Sequence, residues 1–268
     1  MREPIQAIIP YGHGLNTWSG LEYCFRLAGA KTVLVHLDQI TPDDLDRSYI
    51  LGLAGGFAHG DAGGAGTLTA ASVRHRLDDA IQKFIEDGKL IMGVCNGAQI
   101  IVKYPLLPRI KDPYDKTVSL INNAYGPFRN DWVRLKFNQR SPCIFTKGIE
   151  YMDMPIRHGE GRFVVADDTV LSELWRKHMV VAQYVGKDGA PTAAFPENPN
   201  GSIDAIAGIC DETGRIFAWM PHPEAFNVNM NHPDWTLHKE LQKRQGLEFE
   251  EKEGDGLKVF RNAVDFFR

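Results

Sequence analysis

Lys89 to Pro108 reads KLIMGVCNGAQIIVKYPLLP. An apolar run, Lys89–Val94, meets Cys95-Asn96-Gly97 and continues with apolar residues at helical spacing. This pattern predicts a buried strand, a sharp bend and a helix, with a thiol at the bend. The strand lends rigidity. The helix supplies unpaired N–H groups and the positive end of its dipole. Both features favour thiolate over thiol at a bend of this kind. Gly93 and Gly97 permit the tight bend and close packing. Gly93-Val94-Cys95-Asn96-Gly97 therefore has the form of a GxSxG nucleophile elbow with Cys in place of Ser. The pentapeptide alone also fits a buried structural cysteine among turn residues.

The segments before the elbow alternate in the same way. Ile5–Ile9, Lys31–Leu37 and Tyr49–Gly56 are short apolar runs, hence strands. Thr17 caps a predicted helix through Ala28, with Leu21, Cys24, Phe25 and Ala28 on one face and Gly29 ending it. Thr67 to Asp87 has helical periodicity, with Val73, Leu77, Ala80, Ile81 and Phe84 aligned. Continuous apolar strands alternating with helices indicate an α/β fold with a mostly parallel sheet covered on both faces. The middle differs: TVSLINNAYG, DWVRLKF and GRFVV read as half-buried, antiparallel additions. The end returns to AIAGIC and RIFAWM, then to helices over Trp235–Gln245 and Gly256–Phe267. With no repeat and no long linker, residues 1–268 read as a single domain.

Of the 268 residues, 43% are hydrophobic, enough for a full core. A net charge of −4 offers no basic footprint for nucleic acid. No apolar run approaches the ~20 residues of a membrane span, and the N-terminus has no signal-peptide pattern. Cys24, Cys95, Cys143 and Cys210 are far apart without a CxxC pair, which argues against zinc and disulfide frameworks. The expectation is a cytoplasmic protein with no metal and no cofactor of its own.

A nucleophilic cysteine needs a base, and the base needs an orienting group. FAWMPHPEAF, Phe217–Phe226, offers both. Pro221 and Pro223 disfavour a helix there, so an extended stretch is expected, with His222 and Glu224 on one face. Glu224 would hold one ring nitrogen and leave the other facing the thiol. By itself the segment also fits a proline-rich surface turn. The glycine-rich stretch LAGGFAHGDAGGAG, Leu53–Gly66, lacks the Lys-Ser/Thr of a P-loop. It reads either as a flexible turn or as a backbone donor loop for an oxyanion. Gly56 is the candidate donor, with the Asn96 N–H as the second.

CNGAQ, MPHPE and GGFAHGD together resemble class I glutamine amidotransferases of the Cys–His–Glu type. GVCNGAQ, GGFAHGDAGGAG, MPIRHGEGRF and PENPNGS resemble, more narrowly, the glutaminase subunits of phosphoribosylformylglycinamidine synthases. The resemblance runs from about Ile5 to Phe267 and includes Gly14-Leu15-Asn16. It implies flavodoxin-like layering of the open sheet, with Cys95 as nucleophile, His222 as base and Glu224 as its partner. It also implies that Gln99 helps hold substrate L-glutamine, and that His158 and Gly159 of the HGEG segment line the glutamine pocket or the ammonia exit. The implied partners are a synthetase subunit that uses ATP and Mg, and a small accessory subunit. No Walker motif appears in this chain, so ATP binding is expected on the partner. The chain departs from the resemblance at His59, where Tyr is usual, at Ala225, where Arg is frequent, and in the polar tail Asn227–Glu253. Service to another synthetase, γ-glutamyl hydrolysis, and a non-catalytic sensor domain are the alternatives. His13, His36, His75, His178, His232 and His238 show no ligand spacing and read as structural or solvated.

Overall fold

The structure, a computed structural model, describes residues 4–110, 114 and 116–268. The first half alternates as β1 (Gln6–Tyr11), α1 (Trp18–Leu27), β2 (Lys31–His36), α2 (Pro42–Asp46), β3 (Ile50–Leu53), α3 (Thr67–Glu86), β4 (Leu90–Val94) and α4 (Asn96–Lys103). Then follow β5 (Val118–Ile121), β6 (Arg129–Phe137), β7 (Tyr151–His158), β8 (Arg162–Val165), α5 (Asp168–Arg176) and β9 (Val180–Tyr184). The chain ends with β10 (Ile206–Cys210), β11 (Ile216–Trp219), α6 (Trp235–Arg244) and α7 (Leu257–Asp265).

One nine-stranded sheet runs in the order β2-β1-β3-β4-β11-β10-β9-β6-β7. Pairing is parallel from β2 to β11 and antiparallel from β11 to β7. β5 and β8 form a separate antiparallel ribbon. The mostly parallel, helix-flanked core with antiparallel additions is as expected from the sequence. The chain steps one way from β1 to β2 and the other way from β3 to β4. Right-handed crossovers then place α1 and α3 on opposite faces. Packing agrees, with α1 against α7 and α3 against α2 and α4. The reversal leaves a crevice at the C-terminal ends of β1 and β3, the position at which open α/β sheets bind ligands.

β3 and β4 are buried throughout, which explains their continuous apolar sequence. α7 seals one face: Val259, Phe260, Ala263 and Val264 are fully buried, and Phe260 meets Phe25 edge-on at 4.9 Å between centroids. α2, β7, α5 and β9 were not anticipated. A signal for α2 was present: the Asp44 N–H donates to Thr41 Oγ1, and the Asp44 carboxylate accepts the Thr41 N–H, with Pro42 in the first turn. Thr17 is a correction. It precedes α1 but makes no cap bond; its hydroxyl instead accepts the Gly55 N–H at 2.9 Å.

Phe260→Ala should cost about 3–5 kcal/mol through lost burial and the cavity left behind. Urea unfolding of the two proteins checks this by the shift in midpoint at constant slope.

Candidate active site

The elbow is present. β4 ends at Val94, the Cys95 N–H still donates to the Trp219 carbonyl at 2.9 Å, and α4 begins at Asn96. Cys95 has φ 52 and ψ −107, a conformation that a non-glycine residue holds only where its surroundings compel it. They compel it here. A Cβ on Gly97 would lie 2.0 Å from the Leu53 carbonyl oxygen, and one on Gly93 would lie 2.5 Å from Gly97. The start of α4 therefore presses directly on β3 and β4, and the chain must turn sharply at Cys95. Its sulfur is turned toward β7 and lies 3.4 Å from the Arg157 carbonyl oxygen.

β11 lies beside β4 with Trp219 level with Val94, so the residues after β11 emerge next to Cys95. The Met220–His222 segment is clamped from above: Ile156 bridges Pro221, and the His222 N–H donates to the Pro155 carbonyl at 2.8 Å. β7 reaches this point although it is four places from β11 in the sheet, because the antiparallel strands curl back. The expected extended stretch needs correction. Pro223–Ala225 is a 3-10 turn with proline in its first position. Its tightness brings Glu224 Oε1 to 2.6 Å from His222 Nδ1, both side chains being buried.

Burial alone would make His222 a weaker base. The Glu224 charge and the neighbouring Cys95 outweigh it and raise the imidazole from 6.5 to about 10. His222 Nε2 is buried without a hydrogen-bond partner at ordinary geometry, and the second carboxylate oxygen of Glu224 is likewise unpaired. Gly55 fits between His222 and Cys95. A Cβ there would lie 2.8 Å from His222 Cε1 and 3.3 Å from Cys95 Cβ.

Cys95, Gly56, Gln99, His158 and Gly159 line one cavity of about 420 Å³. A second, of about 370 Å³, shares Cys95 and Gly56 with the first and reaches His222. Among the described residues, neither the Gly56 nor the Asn96 N–H donates to another carbonyl. Asn96, expected as the second donor, lines neither cavity. It is fully buried, its side chain accepting the Ala58 N–H and donating to Asp61 and Gln99. Gln99 in turn donates to the Glu160 carbonyl at 2.7 Å. His158 Nδ1 lies 3.1 Å from Asn123 Oδ1, an oxygen that also accepts the Gly161 N–H. His158 therefore donates from Nδ1. Burial, then the His222 charge, depresses it to about 3, so the ring is neutral and Nε2 carries an open lone pair.

The chain matches the CobB/CobQ-like glutamine amidotransferase domain over residues 4–267. It belongs to that family. The amidotransferase is 38% identical over 266 residues to the phosphoribosylformylglycinamidine synthase subunit PurQ of Methanococcus maripaludis, covering 98% of this chain and 97% of that protein. It is 39% identical over 267 residues to the PurQ subunit of Dehalococcoides mccartyi, covering 98% of each. Among solved structures it is similar to a chain of PurLQS from Thermotoga maritima, with TM-score 0.68 and 29% identity over 99% of this chain and 100% of that one.

Sequence reasoning about this amidotransferase missed Gly55, Thr17 and the Arg157 carbonyl. Gly55 lies inside the glycine-rich stretch, so a signal existed. Arg157 acts through its backbone and leaves none. His13 and His36, read from the sequence as structural or solvated, come together in space with Asp38, the ligand-type atoms of all three lying within 4.8 Å of one another.

Gly55→Ala should push the His222 ring off Cys95. A displacement of about 1 Å costs on the order of 10²-fold in rate. The check is the rate at which a glutamine-mimicking electrophile labels Cys95 in the two proteins; equal rates would remove Gly55 from the positioning of the pair.

Proposed function

We propose that this chain hydrolyses L-glutamine to glutamate and ammonia as the glutaminase subunit of a phosphoribosylformylglycinamidine synthase. The ammonia passes to an ATP-dependent synthetase that converts formylglycinamide ribonucleotide to formylglycinamidine ribonucleotide in purine biosynthesis. The buried His222–Glu224 pair beside an elbow cysteine at the head of a cavity carries this reading. Full-length identity to PurQ subunits supports the choice of synthetase. Unbroken pairing across the nine strands supports one amidotransferase domain. Four free, buried cysteines fit a reducing, cytoplasmic setting.

The chemistry follows from the geometry. Glu224 keeps the proton on His222, and the resulting imidazolium stabilises a thiolate at Cys95 by charge. The sulfur attacks the side-chain amide carbon of glutamine, and the carbonyl electrons move to oxygen. The Gly56 and Asn96 N–H groups receive that oxyanion, each worth roughly 3 kcal/mol. His222 gives its proton to the amide nitrogen, which leaves as ammonia and closes a γ-glutamyl thioester. The neutral ring then takes a proton from water, which attacks the thioester and releases glutamate. Gln99, His158 and Gly159 line the glutamine pocket. ATP and Mg²⁺ are assigned to the synthetase partner.

Cys95→Ala should abolish ammonia release from L-glutamine while preserving the circular dichroism spectrum. His222→Ala should lower turnover by about 10²–10⁴-fold. Adding the synthetase partner should raise wild-type turnover strongly; full activity in Cys95→Ala would refute the assignment.

The charged pair also predicts a pH signature. The folded His222 binds its proton more tightly than the free value of 6.5. Its contribution to stability is complete below that value and fades as pH rises toward about 10. Urea midpoints of wild type and Glu224→Gln should therefore differ most on the acid side of this window and converge across it.

A further inference from the structure

β1 and β2 run in register to their last residues, with Tyr11 level with His36. The chain segments leaving the two strands are thus brought side by side at the mouth of the crevice. Gly12, His13 and Gly14 all have positive φ, a tight loop that turns the His13 ring toward β2. His13 Nε2 lies 2.6 Å from Asp38 Oδ2, and His36 Nδ1 lies 3.9 Å from the same oxygen. All three side chains are partly open to solvent, which gives an ion an entry path.

We propose that His13, His36 and Asp38 form a binding site for a divalent transition-metal ion of the Zn²⁺ class, tying the loop after β1 to the end of β2. Two imidazoles and a carboxylate suit Zn²⁺, whereas Mg²⁺ and Ca²⁺ need oxygen ligands throughout. Zn–ligand bonds of about 2.0–2.1 Å in a tetrahedron set ligand atoms about 3.3 Å apart. The two measured separations bracket that value; His36 Nδ1 now accepts the Asp38 N–H at 3.4 Å and would give up that long bond as side-chain rotations complete the site, with water as fourth ligand. The ion would replace the proton now shared between His13 and Asp38. The supports that orient ligands around such sites are present. Arg76 stands 3.8 Å from Asp38 Oδ1, the oxygen not facing the histidines. The Arg76 guanidinium is itself held by the Leu37 and Ile40 carbonyls. His59 stacks on His13 at 4.5 Å between centroids.

The site would also reach the nucleophile. The His13 carbonyl accepts the His59 N–H, the Gly14 carbonyl accepts the Phe57 N–H, and the Asn16 and Thr17 N–H groups donate to Gly55. The loop held by the ion is therefore the one that braces Gly55 and Gly56.

Cys95 and His222 are themselves metal-ligand types, so the test uses the full chain carrying Cys95→Ala. Titration with Co²⁺ should give saturable visible d–d bands without sulfur-to-metal charge transfer, and Zn²⁺ should displace them. Added His13→Ala or His36→Ala should weaken binding by at least the roughly 10–100-fold that lost outer-shell partners cost. The exposed His75→Ala control should leave it unchanged. No saturable band, a sulfur band, or equal affinity in the His13 and His36 variants would overturn the site. Amide exchange at Phe57 and His59 should slow with Zn²⁺ only when His13 is present; no slowing would overturn the link to the active site.

Discussion

The structure turns on a backbone contact, the crossing of the first turn of α4 over the end of β3. Gly97 stands where a single Cβ would overlap the Leu53 carbonyl. This closeness forces Cys95 into positive φ, at a cost on the order of 1–3 kcal/mol. The fully buried strands β3 and β4 offset that strain. The same crossing sets the free N–H groups of the helix beside the thiol and starts the Gly55-Gly56 turn next to them. The elbow thiol, the helix end and the glycine turn are thus consequences of one approach distance.

The parallel half supplies three of the parts because its strands share a direction. Loops after β1, β3, β4 and β11 all leave the same edge of the sheet. A parallel sheet alone would leave that edge open to water. The antiparallel half supplies the cover: β7 curls back to set the Arg157 carbonyl beside the Cys95 sulfur and to accept the His222 N–H at Pro155. Cys95 and His222 are therefore held by one strand from the other half of the sheet, and their separation is not free to drift.

This division decides what could be read in advance. β1, β3 and β4 announce themselves because burial on both faces demands unbroken apolar runs. The elbow is legible because its glycines are spaced by local sterics. YMDMPIRH hides β7, since a polar, proline-containing strand looks like a loop until its partners are known. The Arg157 carbonyl is invisible in principle, because every residue carries one. The 3-10 turn at Pro223 was mistaken for extended chain because proline excludes a helix interior yet suits a first turn. His13 and His36 showed no ligand spacing because their proximity rests on the register of β1 with β2, which no short-range spacing encodes.

Two buried histidines show how the site sorts its charges. His158 and His222 are both withdrawn from water, and burial weakens both as bases. His158 has an amide oxygen at Nδ1 and stays neutral; His222 has a carboxylate at 2.6 Å and stays charged. Their mutual repulsion widens the gap. Glu224 is itself sealed in by α1, where a Cβ on Gly20 would touch its side chain at 3.1 Å. Its second oxygen has no partner. A carboxylate so enclosed finds its counter-charge only in His222. Losing that proton in the resting state would leave an uncompensated buried anion, which costs far more than holding a pair. The proton is thus stored on His222 by the burial of Glu224.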